Sequence, residues 1–181
     1  MNKNNIIFVG GIHGVGKTTL CKYLSDELDI CHYSSSDLIS KLNSERVRND
    51  KTVDDVEGNQ NVLLEAMKLF LNQDVDYILD GHFCLLQKDH KFEKVPLKTF
   101  QNLNIKTIVV LIDDYKEIIK RIELRDGKKY SKEFISEFQR AEVENAKYIC
   151  SELNLECKIV KLNEKKELVE FMKNDNAKND N

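Results

Sequence analysis

The chain has 181 residues, with 28 Lys and Arg against 31 Asp and Glu, a net charge of −3 and an isoelectric point near 5.9. That length suits one domain with a substantial core, and the slightly acidic balance provides no global positive field to recruit nucleic acid. No apolar run is long enough for a membrane span and "MNKNN" does not open a secretory signal, so a cytoplasmic protein with no membrane partner is expected.

The first element is "NIIFVG" (5–10), a continuous apolar run that predicts a buried strand. "KTTLCKYLSDEL" (17–28) has the spacing of a helix with one apolar face. Between them lies Gly11-x4-Gly16-Lys17-Thr18, which fits the phosphate-binding loop pattern in full and has the strand-then-helix context that the pattern needs. In such a loop, backbone N–H groups from His13 to Thr18 curl around a β-phosphate at a helix N-terminus, where the dipole favours an anion. Lys17 bridges the β- and γ-phosphates and the Thr18 hydroxyl ligates Mg²⁺. The candidate nucleotide-binding residues are therefore Gly11, His13, Gly14, Val15, Gly16, Lys17, Thr18 and Thr19, with ATP and Mg²⁺ as the implied cofactors. The His13 side chain is expected to point away from the phosphates.

Further along, "ICHYS" (30–34) predicts a short strand, a turn follows at 34–36, and a helix starts at Asp37. Residues 44–57 are charged and poor in apolar groups, reading as a mobile connection or short helix, and 61–72 is helical by period. "DYILDGHF" (76–83) predicts a buried strand with an Asp-Gly turn at its end, followed by a loop to Val95 and a short helix opened by Pro96. "IKTIVVLID" (105–113) is the most strongly patterned strand; 115–124 is helix, 125–131 a charged loop, 132–152 a long helix, 157–162 the last strand and 164–173 the last helix. The tail, 174–181, is expected to be disordered. Continuous apolar strands alternating with helices imply an α/β fold, a five-stranded parallel sheet with helices on both faces, in one domain over 1–173. Ligands then bind beyond the carboxyl ends of the strands, where the loop, Ser34–Asp37, Asp80–His82 and Asp113 converge.

Two apolar runs end in aspartate, at Asp80 and Asp113, and either can support the Mg²⁺ shell through water. Asp80 is favoured because Gly81 permits a tight turn toward the site, whereas helix capping alone explains Asp113. Arg121, Arg125, Lys128 and Lys129 crowd the charged loop. A solvated basic face is the plain reading; the functional one is a short lid over 125–131 that brings Arg121 and Arg125 to the triphosphate as catalytic groups, pointing the same way from an i, i+4 pair. The cysteines (21, 31, 84, 150 and 157) form no C-x-x-C pair, and the four histidines show no metal-ligand spacing. Reduced thiols, with neither a zinc nor a redox site, are expected.

"GGIHGVGKTT", "YSSSDLIS", "YILDGHF" and "VVLIDDYKEIIKRIELRDGKKYS" occur in the order seen in adenylate kinases and related small P-loop kinases, and the chain most resembles the short-lid archaeal-type adenylate kinases over residues 5 to about 172. The resemblance implies a three-layer P-loop fold, a monophosphate-binding region between the second and third helices, a lid, and transfer of the γ-phosphoryl of ATP to a nucleoside monophosphate by a monomer or small homo-oligomer. Carried over by position, Ser36 and Asp37 fall where such kinases hold the acceptor, Asp80-Gly81 matches the Asp-Gly turn, and Arg121 and Arg125 match the lid arginines. Two acceptor-side arginines of the bacterial enzymes are absent, their places holding Ser40 and "HFCLL"; Lys41, Arg46, Arg48 or His82 would have to neutralise the acceptor phosphate instead. The alternatives are a P-loop kinase for another small metabolite or a polynucleotide end, and a nucleotide-operated switch. An "NKxD" guanine-reading motif is missing, which disfavours a GTPase, and the chain is short for an AAA-type motor.

Overall fold

The computed structural model describes residues 5–48, 56–72, 75–87 and 91–179, without the side chains of 46–48, 56–60 and 175–179. Strands β1 (Ile6–Gly10), β2 (Cys31–Ser34), β3 (Tyr77–Asp80), β6 (Ile105–Leu111) and β7 (Cys157–Val160) form one parallel sheet in the order β2-β3-β1-β6-β7. Period-two alternation sorts β1 between two cores: Ile6 and Phe8 point to one face, Ile7 and Val9 to the other. The first face is covered by Leu38 and Leu42 of α2 (Ser35–Arg48), Val62 to Met67 of α3 (Val56–Phe70) and Phe100 of α4 (Leu97–Gln101). The second is covered by α1 (Lys17–Leu28), α5 (Tyr115–Asp126) and α7 (Lys165–Asn179) through Leu20, Leu24, Ile118, Ile122, Leu168 and Met172. This is the expected three-layer α/β fold.

Helix α6 (Lys132–Leu153) belongs to both layers. Its first half places Ile135 and Phe138 in the second core, and its second half places Ala146, Ile149 and Cys150 in the first. The span between them lies near the carboxyl ends of the strands, which is why it enters the site.

Three expectations need correction and a fourth is sharpened. The 76–83 strand stops at Asp80, and the loop to Val95 contains an antiparallel pair, β4 (Cys84–Leu86) with β5 (Phe92–Lys94). Three-residue strands carry no readable period; this pair is fixed by tertiary contacts instead, with Phe92 stacked on Phe138 at 4.8 Å. The segment 44–57, expected as a mobile connection or short helix, is helix at both described ends, since α2 runs to Arg48 and α3 begins at Val56, with 49–55 outside the described residues. Helix α5 continues to Asp126 and closes on Gly127 at φ +65°, so the loop expected over 125–131 shrinks to 127–131. Finally, α7 runs through the tail to Asn179, because a helix already nucleated by the packed Leu168, Val169 and Met172 extends at little cost per residue.

Candidate active site

The loop between β1 and α1 has Gly11, Gly14 and Gly16 at φ +146°, +80° and +107°, conformations that L side chains rarely adopt. The amides of Gly14, Gly16, Lys17 and Thr18 have no hydrogen-bond acceptor among the described residues. They form a rim of free donors at the N-terminus of α1, the arrangement that suits an anion. Lys17 bends back across the loop, its Nζ donating to Gly11 O at 2.7 Å and Ile12 O at 3.3 Å. Burial lowers its pKa, and the Glu142, Asp80 and Cys21 side chains oppose that shift. Thr18 and Thr19 stand exposed at the start of the helix, while Val15 is buried against the core.

Three polar side chains of α6 tie the strand ends together. Glu142 is fully buried; its Oε1 accepts from Gly11 N at 2.9 Å and Phe83 N at 3.0 Å, and its Oε2 from Cys84 N at 2.6 Å. One carboxylate therefore fixes the phosphate loop to the segment after β3. Burial pushes its pKa up to about 7, against the pull of those three donors and Lys17. Gln139 accepts from Asp113 N at 2.9 Å and donates to Asp113 O at 3.0 Å. Asn145 donates to Phe83 O at 2.6 Å and Val95 O at 3.2 Å, latching the β4–β5 pair. None of the three was singled out in the sequence, although a signal existed: Glu142 and Asn145 interrupt the apolar stripe Ile135, Phe138, Ala146, Ile149 at positions where a helix of this period faces the core.

The two arginines do different things, and they do not point the same way. Arg121 lies against the outside of the phosphate loop, donating to Val15 O at 3.1 Å, Gly14 O at 3.3 Å and Asp113 Oδ2 at 2.6 Å. It is a brace for the loop and a partner for Asp113. Arg125, at the end of α5, pairs with Asp126 through its Nε at 2.9 Å and contacts the His13 ring. His13 in turn meets Asp126 at 2.8 Å, so the exposed loop residue joins the helix end. Asp113 is thus engaged by Arg121 and Gln139, while Asp80 sits close enough to Lys17 and Cys21 to influence both.

A family model described as "AAA domain" matches residues 10–139, from the end of β1 through the first third of α6. The chain belongs to that family. It is a P-loop domain of the kinase type. It is 31% identical over 103 residues to human adenylate kinase isoenzyme 1, a match covering 52% of this chain and 53% of that protein, so the chain spans about half the length of this curated relative. Two solved structures share the fold: a sugar kinase from Janibacter sp. (TM-score 0.54, 18% identity, 93% of this chain and 91% of that one) and an uncharacterized protein from Eubacterium ventriosum (TM-score 0.54, 12% identity, 95% and 99%).

On this P-loop domain the acceptor candidates scatter. Ser36 and Asp37 are exposed in the first turn of α2, with Ser36 Oγ 2.8 Å from Ser34 Oγ. The Arg48 side chain lies outside the described residues. His82 sits between Asp80 and the α6 bracket, its Nδ1 3.8 Å from Glu142 Oε1 and without a hydrogen-bond partner. Burial and the Lys17 charge push its pKa down to about 3, so the ring is neutral at pH 7 and brings no charge to an acceptor phosphate. Beside it a cavity of about 240 Å³ is lined by His13, His82, Cys84, Leu85, Leu86, Ile122, Lys128, Tyr130, Phe134, Ile135 and Phe138. The β4–β5 pair forms one of its walls and the 127–131 segment with α6 forms another.

Proposed function

We propose that this domain transfers the γ-phosphoryl of Mg²⁺-ATP to a nucleoside monophosphate. The observation that carries the acceptor class is the cavity beside the phosphate loop. Its walls include Leu85, Leu86, Phe134, Phe138 and the Tyr130 ring stacked on Phe134 at 5.0 Å, and its few polar side-chain groups are those of His13, His82, Lys128, the Tyr130 hydroxyl and the Cys84 thiol. A flat nucleobase buries well against such walls, whereas a polyhydroxylated sugar would find too few polar partners for its hydroxyls. The partial identity to an adenylate kinase supports the same class.

The free loop amides and the threonine-led helix N-terminus fit a triphosphate with its metal, and Mg²⁺ would neutralise charge on the transferring group. In this reading Lys17 leaves the Gly11 and Ile12 carbonyls to bridge the β- and γ-phosphates. Thr18 Oγ1 would hold the metal and Asp80 would support its water shell. Arg121 keeps the loop in shape, and Arg125 swings from Asp126 to the transferring phosphoryl as the 127–131 segment closes about Gly127, whose surroundings are open.

The test is a panel of nucleoside monophosphates, sugars and sugar acids with Mg²⁺-ATP, read as ADP and phosphorylated acceptor. AMP or another monophosphate should give product well above acceptor-free hydrolysis. Product from sugars alone would reassign the acceptor, and hydrolysis indifferent to every acceptor would replace the kinase with a nucleotide switch.

A further inference from the structure

A cluster of ligating atoms lies behind the phosphate loop. Cys21 Sγ, one His32 ring nitrogen and one Asp80 carboxylate oxygen all lie within 4.8 Å of one another. They come from three elements: the second turn of α1, the edge strand β2 and the end of β3. The sheet register explains the meeting. His32 lies opposite Ile78, and Asp80 follows Ile78 by two residues, so all three share one face of the sheet. That is the face on which α1 packs, and Cys21 and Ile78 belong to the same buried cluster. Cys21 is fully buried, and the His32 and Asp80 side chains are 20% and 13% exposed, with His32 Nε2 2.6 Å from Asp80 Oδ2.

We propose that Cys21, His32 and Asp80 form a three-ligand site for a zinc-class divalent ion, and that filling it inhibits phosphoryl transfer. One thiolate, one imidazole and one carboxylate form a donor set suited to zinc, with a fourth position left for solvent. Metal–ligand bonds of about 2.0–2.3 Å place tetrahedral ligands roughly 3.3–3.8 Å apart. The cluster needs adjustments of only about an ångström to reach that spacing: His32 and Asp80 open slightly and Cys21 closes in. Without metal, burial and the Asp80 charge keep the Cys21 thiol protonated. Forming the sulfur–metal bond releases that proton to solvent. Inhibition follows because zinc draws on the Asp80 charge and fixes its carboxylate toward Cys21 and His32, weakening its support of the Mg²⁺ water shell; this half of the proposal rests on the reading of Asp80 as the carboxylate behind Mg²⁺, and the site itself does not.

The test uses the full chain, with Zn²⁺ competed against a chromophoric indicator and Co²⁺ followed by its thiolate charge-transfer absorption. One high-affinity ion per chain is expected, with a thiolate band for Co²⁺. Cys21→Ser and His32→Gln should each weaken binding by about 10- to 100-fold or more, at least the loss that changes to outer-shell groups cause. Cys31→Ser, exposed and next to His32, should bind as the native chain does. His32→Gln lies on an edge strand and covers the case in which Cys21→Ser fails to fold. No bound Zn²⁺ in the native chain, or native affinity in both variants, overturns the site while leaving phosphoryl transfer untouched. Zn²⁺ far below the ATP concentration should lower turnover at limiting Mg²⁺, and Cys21→Ser should lose that sensitivity. An ion bound at Cys21 and His32 with turnover unchanged overturns the inhibition and, with it, the role of Asp80.

Discussion

Lys17 holds its buried ammonium against two loop carbonyls, at 2.7 and 3.3 Å, in a setting that disfavours charge. Removing it trades two lost hydrogen bonds against relief of a burial cost, so Lys17→Ala should remain folded with a melting temperature close to native. Turnover should fall by about three orders of magnitude, the scale attached to groups that neutralise a transferring phosphoryl. A folded Lys17→Ala protein with native turnover would refute the phosphate-loop assignment. Two neighbours make stability depend on pH in opposite senses. Glu142 is raised from 4.5 to about 7, so the folded state holds a proton that the unfolded state has lost; that contribution weakens as pH rises through this window. His82 is lowered from 6.5 to about 3, so the unfolded state takes up a proton first, and its contribution is lost as pH falls from 6.5 toward 3. Between about pH 4.5 and 6.5 the two oppose each other. His82→Gln should remove one side of this balance and make the protein more stable at pH 5 relative to pH 7 than the native chain is, as read by urea unfolding. An unchanged ratio would show that the pair does not titrate in this way.

Among the elements, α6 has a role that its length alone does not announce. Three successive turns of its inner face each carry a polar group aimed at backbone: Gln139 at Asp113, Glu142 at Gly11, Phe83 and Cys84, Asn145 at Phe83 and Val95. Among the described residues, Asn145→Ala should remove the only side-chain donor to the half-buried Val95 O and one of two donors to Phe83 O, which keeps the Val95 N–H at 2.9 Å, costing about 1 kcal/mol. The loss should concentrate in the β4–β5 pair, where amide exchange at Cys84–Leu86 and Phe92–Lys94 should accelerate more than in the central sheet. Uniform acceleration would mean that the latch is no more than general core packing. The bracket also explains what could be read beforehand. The sheet, the phosphate loop and the helices around it follow from apolar periodicity and glycine spacing, which are local properties of the chain. The Glu142 contacts and the pairing of His32 with Asp80 join positions 48 to 131 apart in the chain, and the β4–β5 pair and the place of Cys21 beside them likewise depend on tertiary packing. No local pattern encodes them. The contacts of Arg121 were illegible for a related reason: its charge and position fit a lid, and only the docking of α5 brings it to the Gly14 and Val15 carbonyls.

At the scale of the whole molecule, the two faces of the site are joined through α5 and the segment after it, and this connection distinguishes a kinase from a switch. Arg121 is fixed by Asp113 and the loop, whereas Arg125 is held by surface contacts with Asp126 and His13, both of which water can replace. Surface pairs of this kind are weak enough to exchange for a phosphate when the 127–131 segment moves. Arg121→Ala should therefore weaken ATP binding and lower stability together, because it releases the Gly14 and Val15 carbonyls and leaves Asp113 without its cation. Arg125→Ala should leave ATP binding nearly native and reduce acceptor-dependent turnover by two orders of magnitude or more, as expected for an interaction made in the transition state. Acceptor-free hydrolysis should be slow in the native chain, as expected where an open segment does not position water, and should change little in Arg125→Ala. The comparison is decided by ATP affinity, thermal unfolding and single-turnover rates measured with and without a nucleoside monophosphate. Equal losses of affinity and rate in both variants would place Arg125 in loop architecture alongside Arg121 and remove the lid from the mechanism.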